Sequence, residues 1–128
     1  MRYHTPASFD DAIAIAAQAE GITRFLAGGT DVLVQLRSDL VTPDDLINIK
    51  QIPGTHDIVQ NADGSWTLGI AVSGAEMTEH AGLCAAWPGL VEGMDLIGST
   101  QVQGRATLVG NLCNGSPAAD SVPGMMAA

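Results

Sequence analysis

Three observations predict an α+β domain of mixed α/β character. The segments "TRFLA", "DVLVQLRSDL" and "DDLINI" read as strand, helix and strand in succession, the order a parallel unit needs because parallel neighbours require a crossover. Next, "HDIVQ" and "SWTLGIAV" flank the turn-forming "NADGS", and Trp66, Leu68, Ile70 and Val72 alternate along the second arm, which predicts a β-hairpin. From "GAEMTEH" onward, small and apolar residues dominate and helix signals follow. The 128 residues form one domain, 1–128, long enough to bury a core with little in reserve.

The individual elements rest on local signals. "RYHTP" is a short strand stopped at Pro6. Ser8 is placed as an N-cap, with Asp11 as an imperfect capping-box partner. Ala12, Ile15, Ala16 and Ala19 recur at helical spacing and Gly21 supplies a stop, so the first helix is expected over about Phe9 to Glu20. In "DVLVQLRSDL", Leu33, Leu36 and Leu40 are expected to share one face. Pro88 opens a helix containing Leu90, Val91, Met94 and Ile97. After Asp120, "SVPGMMAA" begins another.

Charge excludes several function classes. Acids outnumber bases 14 to 5, for a net charge of -9. Arg2, Arg24, Arg37, Lys50 and Arg105 are well separated in sequence, whereas phosphate neutralisation on nucleic acid needs clustered bases. No apolar run approaches the roughly 20 residues that span a bilayer, and "MRYHTPASFDD" has no signal-peptide core. A soluble, cytoplasmic protein without nucleic-acid or membrane partners is expected.

Cys84 and Cys113 belong to no CxxC pair and read as reduced, small apolar residues. His4, His56 and His80 are scattered, and Glu76 with His80 at i,i+4 reads as a solvated helix pair. Ser116 has neither a nearby His nor a GxSxG context. No catalytic residue and no metal ligand are therefore assigned.

Two segments remain. In "FLAGGTDVLV" a strand ends in two glycines and a helix begins at Thr30 or Asp31. Backbone N–H groups at such a turn can hold an anionic phosphate without any Lys, which suits an acidic chain. A plain strand-to-helix turn is the other reading, and neither GxGxxG nor GxxxxGK[ST] is present. In "RATLVGNLCNGSPAAD", Thr107, Gly110, Asn111, Asn114, Ser116 and Asp120 gather hydroxyl, amide and carboxylate groups without apolar periodicity. That stretch reads either as a turn-rich surface loop or as groups suited to a nucleotide cofactor.

Taken in order, "LAGGTDVLVQLR", "INIKQIPG", "LGIAVSGAEM" and "IGSTQVQGRATLVGNLCNGSPAADSVP" resemble the FAD-binding, or medium, subunit of molybdenum hydroxylases such as carbon monoxide and xanthine dehydrogenases. The likeness runs from Tyr3 to the C-terminus. It implies an FAD-binding domain of the vanillyl-alcohol-oxidase (PCMH) type, with an N-terminal α/β subdomain and the start of a second, mixed β subdomain. It implies FAD as cofactor, with Ala27, Gly28, Gly29, Thr30, Asp31 and Val32 around the pyrophosphate and Thr107, Gly110, Asn111 and Asp120 on its remaining groups. The implied role is electron transfer, from the iron–sulfur clusters of a 2Fe–2S small subunit, fed by a molybdopterin-binding large subunit, to a final acceptor.

Three features depart from the family pattern. Val109 stands where TLGGN would place a glycine, so a strained backbone or a crowded cofactor is expected there. Gln103 and Gly104 replace the common Arg and Asn. The family domain continues well beyond the length of this chain, so a truncated member retaining the phosphate-binding half is expected. Two further readings compete: a non-catalytic assembly module that no longer holds FAD, and an unrelated phosphoribosyl or nucleotide-binding module.

Overall fold

The computed structural model describes residues 1–128. Its first unit is a three-stranded parallel sheet of β1 (Arg2–His4), β2 (Thr23–Leu26) and β3 (Asp45–Asn48), in the order β1-β3-β2. Tyr3 and Arg24 both pair with Leu46, which puts β3 at the centre. All its residues are buried, as expected for a parallel strand flanked on both edges.

Helix α1 (Phe9–Gln18) connects β1 to β2 and packs Ala12 against Ile47, Ile49 and Ile52. The Ser8 hydroxyl accepts from the Asp11 N–H at 3.1 Å, the cap that the sequence predicts. The helix ends two residues early, with Ala19 already extended at its C-cap.

Helix α2 (Val32–Arg37) is shorter than its apolar pattern suggests. The Ser38 hydroxyl bonds back to the Val34 carbonyl, and Asp39 takes a left-handed backbone at φ 54°, which turns the chain away. Leu40 therefore lies outside the helix at 77% exposure, and the expected common face of Leu33, Leu36 and Leu40 does not form.

Strands β4 (Ile58–Gln60) and β5 (Trp66–Leu68) form the predicted antiparallel hairpin, with Val59 opposite Thr67. Ile70 and Val72 continue the alternating pattern but lie past its end; Val72 is instead buried in the second core. Beyond the hairpin the chain is helical: α3 (Gly74–Glu79), α4 (Ala81–Ala86), α5 (Pro88–Asp95), α6 (Thr100–Gln103), α7 (Leu108–Asn114) and α8 (Ser121–Ala127). The β content of this region is a single bridge between Ser73 and Thr107. Residues without β-branching favour this outcome, because Ala, Leu and Met lose little freedom in a helix.

Met77, Leu83, Leu90, Val91, Met94, Val72 and Leu108 form that second core. Pro88 occupies the first turn of α5 as predicted, although Ile97 falls beyond its end. Ser73 and Glu76 make a full capping box on α3. Glu76 reaches His56 Nδ1 at 3.0 Å and not His80, so the expected i,i+4 pair is absent. The reason is local: His80 Nδ1 accepts the Leu83 N–H at 3.1 Å and caps α4 instead.

One charged group is sealed into the sheet. The Asp45 side chain is 2% exposed and accepts two bonds of 2.7 Å from the Arg2 guanidinium. His4 Nε2–H donates a third of 2.7 Å. The fork from Arg2, followed by the His4 bond, lowers the carboxyl from 3.8 to about 2. A depressed carboxyl stabilises the fold above its unfolded value, so this contribution is complete above about pH 4 and is lost as pH falls toward 2. Thermal melts from pH 5 to pH 2 should show wild-type Tm falling through that window. Asp45→Asn should melt lower at pH 7 and fall less steeply between pH 4 and 2; an unchanged slope would contradict the assignment.

Candidate cofactor-binding site

Leu26 closes β2 and accepts from the Ile49 N–H at 3.1 Å, so the glycine turn starts at the carboxyl end of the parallel strands. Ligands of α/β sheets bind at that end. Gly29 takes φ +84°, a left-handed conformation that turns the chain into α2. Across Ala27 to Asp31, none of the backbone N–H groups donates to an acceptor within the chain. A chain entering a helix leaves its first amides unpaired, and a consecutive run of such groups can hold an anion. Asp31 makes no cap bond to α2, so its carboxylate is also uncommitted.

The second segment meets the first at Gly28. A Cβ on Gly28 would fall within the van der Waals envelope of the Arg105 carbonyl oxygen, and Ala106 Cα lies next to it. Main chain lies on main chain at this point, and only glycine allows it. A second tie joins the helices that follow each motif, as Gln35 Nε2 donates to Asn114 Oδ1 at 2.9 Å. The second segment is fastened to the start of α3 by Gly74 N–H donating to the Ala106 carbonyl at 2.9 Å.

The second segment holds a helix, α7, over Leu108–Asn114, and becomes the turn-rich stretch its composition suggests only from Gly115 to Asp120. The Thr107 hydroxyl caps α7 by accepting the Gly110 N–H at 3.1 Å, and Gly115 ends it at φ +64°. Only Leu108 of this helix is buried, which explains the missing apolar periodicity. Val109 lies in the first turn with an ordinary helical backbone, since Asp39 is the one non-glycine residue with positive φ. The strain expected at Val109 is therefore absent; its half-buried side chain remains at the helix start.

Asn111 is oriented by a residue that sequence reasoning did not single out. The Ser121 hydroxyl, fully buried, donates to Asn111 Oδ1 at 2.7 Å, which leaves the Asn111 amide NH2 free to donate. Asp120 precedes it, exposed, with its carbonyl against Gly93 of α5 and its side chain bonded to nothing in the chain. Thus Ala27 to Val32 and the start of the second segment converge directly, and Asn111 and Asp120 join through the Ser121 link. Gln103, one of the departures from the family pattern, donates to the Asp95 carbonyl at 2.6 Å and ties α6 to α5.

Cys84 is half-buried and Cys113 exposed, and both are free thiols. No group of three His, Cys, Asp or Glu side chains is arranged to hold a metal ion. No helix is long and apolar enough to cross a membrane.

This geometry coincides with what comparison with known proteins finds. The family described as "FAD binding domain in molybdopterin dehydrogenase" matches residues 1–128. The chain belongs to this family. A xanthine dehydrogenase FAD-binding subunit from Escherichia coli O157:H7 is 33% identical over 119 residues, covering 93% of this chain and 40% of the relative. A carbon monoxide dehydrogenase medium chain from Hydrogenophaga pseudoflava is 29% identical over 120 residues, covering 94% and 42%. Among solved structures, reconstituted CO dehydrogenase from Oligotropha carboxidovorans superposes with a TM-score of 0.88 at 28% identity, over 94% of this chain and 42% of the other. The chain thus spans about two-fifths of the length of the curated relatives it matches. The family's cofactor is FAD.

The residues at the turn fit such a group. The amides from Ala27 to Asp31 have no acceptor within the chain, and the junction at Gly28 leaves no room for a side chain there. Gly28→Ala should lower stability by about 1–3 kcal/mol through overpacking, read as an earlier urea midpoint; a wild-type midpoint would show that the segments do not touch there. Val109→Gly should cost about 0.5–1 kcal/mol as a glycine in a helix. A gain in stability would instead reveal strain at Val109.

Proposed function

We propose that this chain is the phosphate-binding portion of an FAD-dependent electron-transfer subunit of a molybdenum hydroxylase. The observation that carries this reading is the run of acceptor-free amides from Ala27 to Asp31, set against the Arg105 main chain at Gly28. A pyrophosphate supplies the acceptors these amides lack, and backbone dipoles compensate its charge in a protein of net charge -9. When bound, FAD accepts and passes on electrons, and the protein positions and tunes it.

Each residue then has a distinct task. Ala27, Gly28, Gly29, Thr30, Asp31 and Val32 surround the pyrophosphate, with the Asp31 carboxylate turned to a cofactor hydroxyl. Thr107 and Gly110 set the start of α7 by their mutual cap, so the Thr107 O–H retains a proton to donate. The Asn111 NH2, fixed by Ser121, donates to a cofactor acceptor, and Asp120 accepts from a hydroxyl.

The assembly we propose is the one the family resemblance implies. Iron–sulfur clusters on a 2Fe–2S small subunit deliver electrons that originate at a molybdopterin-binding large subunit, and the flavin passes them to a final acceptor. No side chain of this chain forms or breaks a bond of the oxidised substrate, so it contributes no catalytic residue.

The test is direct. Purified protein supplied with FAD and desalted should remain yellow with flavin absorption. A colourless protein that retains its fold by circular dichroism would favour the competing reading of a non-catalytic assembly module.

A further inference from the structure

Of the five cationic side chains, Arg2 is committed to Asp45 and Arg24 donates to the Thr23 carbonyl. Arg37 ends α2, where helix carbonyls face it. Lys50 and Arg105 differ. Neither takes part in an ion pair although the chain carries 14 acids, and neither side chain donates to an acceptor within it.

Both stand beside the glycine turn. Arg105 supplies the carbonyl that lies on Gly28. Lys50 follows Ile49, whose N–H is bonded to Leu26, the residue before the turn. The main chain of Lys50 is held on both sides: its N–H donates to Asn48 Oδ1 at 3.2 Å, and its carbonyl accepts from the Thr55 hydroxyl at 3.1 Å. Asn48 and Thr55 are themselves buried, so the root of this side chain is fixed by the interior.

Partial burial, and then the charge of Arg105, hold the Lys50 amine below the usual lysine range. Two cations within reach of each other and without a counter-charge disfavour one another. An anion between them turns that repulsion into attraction. The unpaired amides of Ala27 to Asp31, at the same strand ends, call for the same ligand charge by an independent route.

We infer that Lys50 and Arg105 form a cationic clamp that binds the cofactor's pyrophosphate together with the Ala27–Asp31 amides. The inference rests on the FAD reading above and adds two side-chain ligands to it. The clamp makes affinity depend on the pyrophosphate, favouring FAD and ADP over riboflavin, and gives an acidic protein a local field that draws in an anion.

Calorimetric titration of the full chain with FAD, ADP and riboflavin at low and high salt tests this. Lys50→Gln and Arg105→Gln should each weaken FAD and ADP binding about tenfold, as expected for loss of a charge-assisted bond. Lys50→Arg should retain most of the affinity. The double variant, its Tm unchanged, should lose most of the salt dependence and leave riboflavin binding unaltered. A double variant that binds FAD with wild-type affinity and salt dependence overturns the clamp while the FAD reading stands. Failure of the wild-type chain to bind FAD or ADP overturns that reading and the clamp with it. Without ligand, the Lys50 amine followed by NMR should titrate higher in Arg105→Gln; an unchanged value shows that the two cations do not sense each other, which also overturns the clamp.

Discussion

Gly28 has no side chain, and the carbonyl of Arg105 lies where one would project. The rest of the site depends on this approach of one main chain to another. It brings the turn after β2 against the segment leading into α7, two stretches far apart in sequence. Each partner is fixed from behind: the turn by Leu26 accepting from Ile49, and the second segment by Gly74 donating to Ala106. A side chain at position 28 would push the two units apart, and the amides of Ala27 to Asp31 would lose the wall opposite them.

The polar groups of the sheet are divided between its ends. At the amino end of β3, Asp45 is satisfied by Arg2 and His4 and fastens β1 to the centre strand. At the carboxyl end, amides and cations are left without partners. Buried polar groups cost free energy unless paired, so the first arrangement is that of structure; the second is where we propose that the cofactor binds. An acidic chain can present an anion site in this way because amide dipoles carry no net charge and do not depend on clustered lysines.

Much of this was legible in the sequence, and the parts that were not have physical reasons. The strand–helix–strand order, the hairpin around "NADGS" and the Pro88 helix start were written in local signals, and each formed. The two glycine-containing motifs were visible as ordered neighbours in a family pattern, and both contribute to one junction. Helix α7 was hidden because only Leu108 faces the interior, leaving no apolar stripe to read. Ser121 and the anchored root of Lys50 were hidden because no motif marks them: Ser121 is placed by its bond to Asn111, and the Lys50 main chain by bonds to its near neighbours Asn48 and Thr55. Leu40 misled the reading of α2, since a left-handed Asp39 breaks the helix before the leucine can complete its face.

The central claim is that the Ala27–Asp31 amides are the groups that bind the cofactor's phosphates. Backbone NMR of the labelled chain during titration with ADP tests it residue by residue. The amide protons from Ala27 to Asp31 should move downfield and gain protection from solvent exchange as they acquire acceptors, with the Asn111 side-chain amide following when FAD replaces ADP. Saturating ADP that leaves those amides unshifted, while resonances elsewhere respond, would contradict the account.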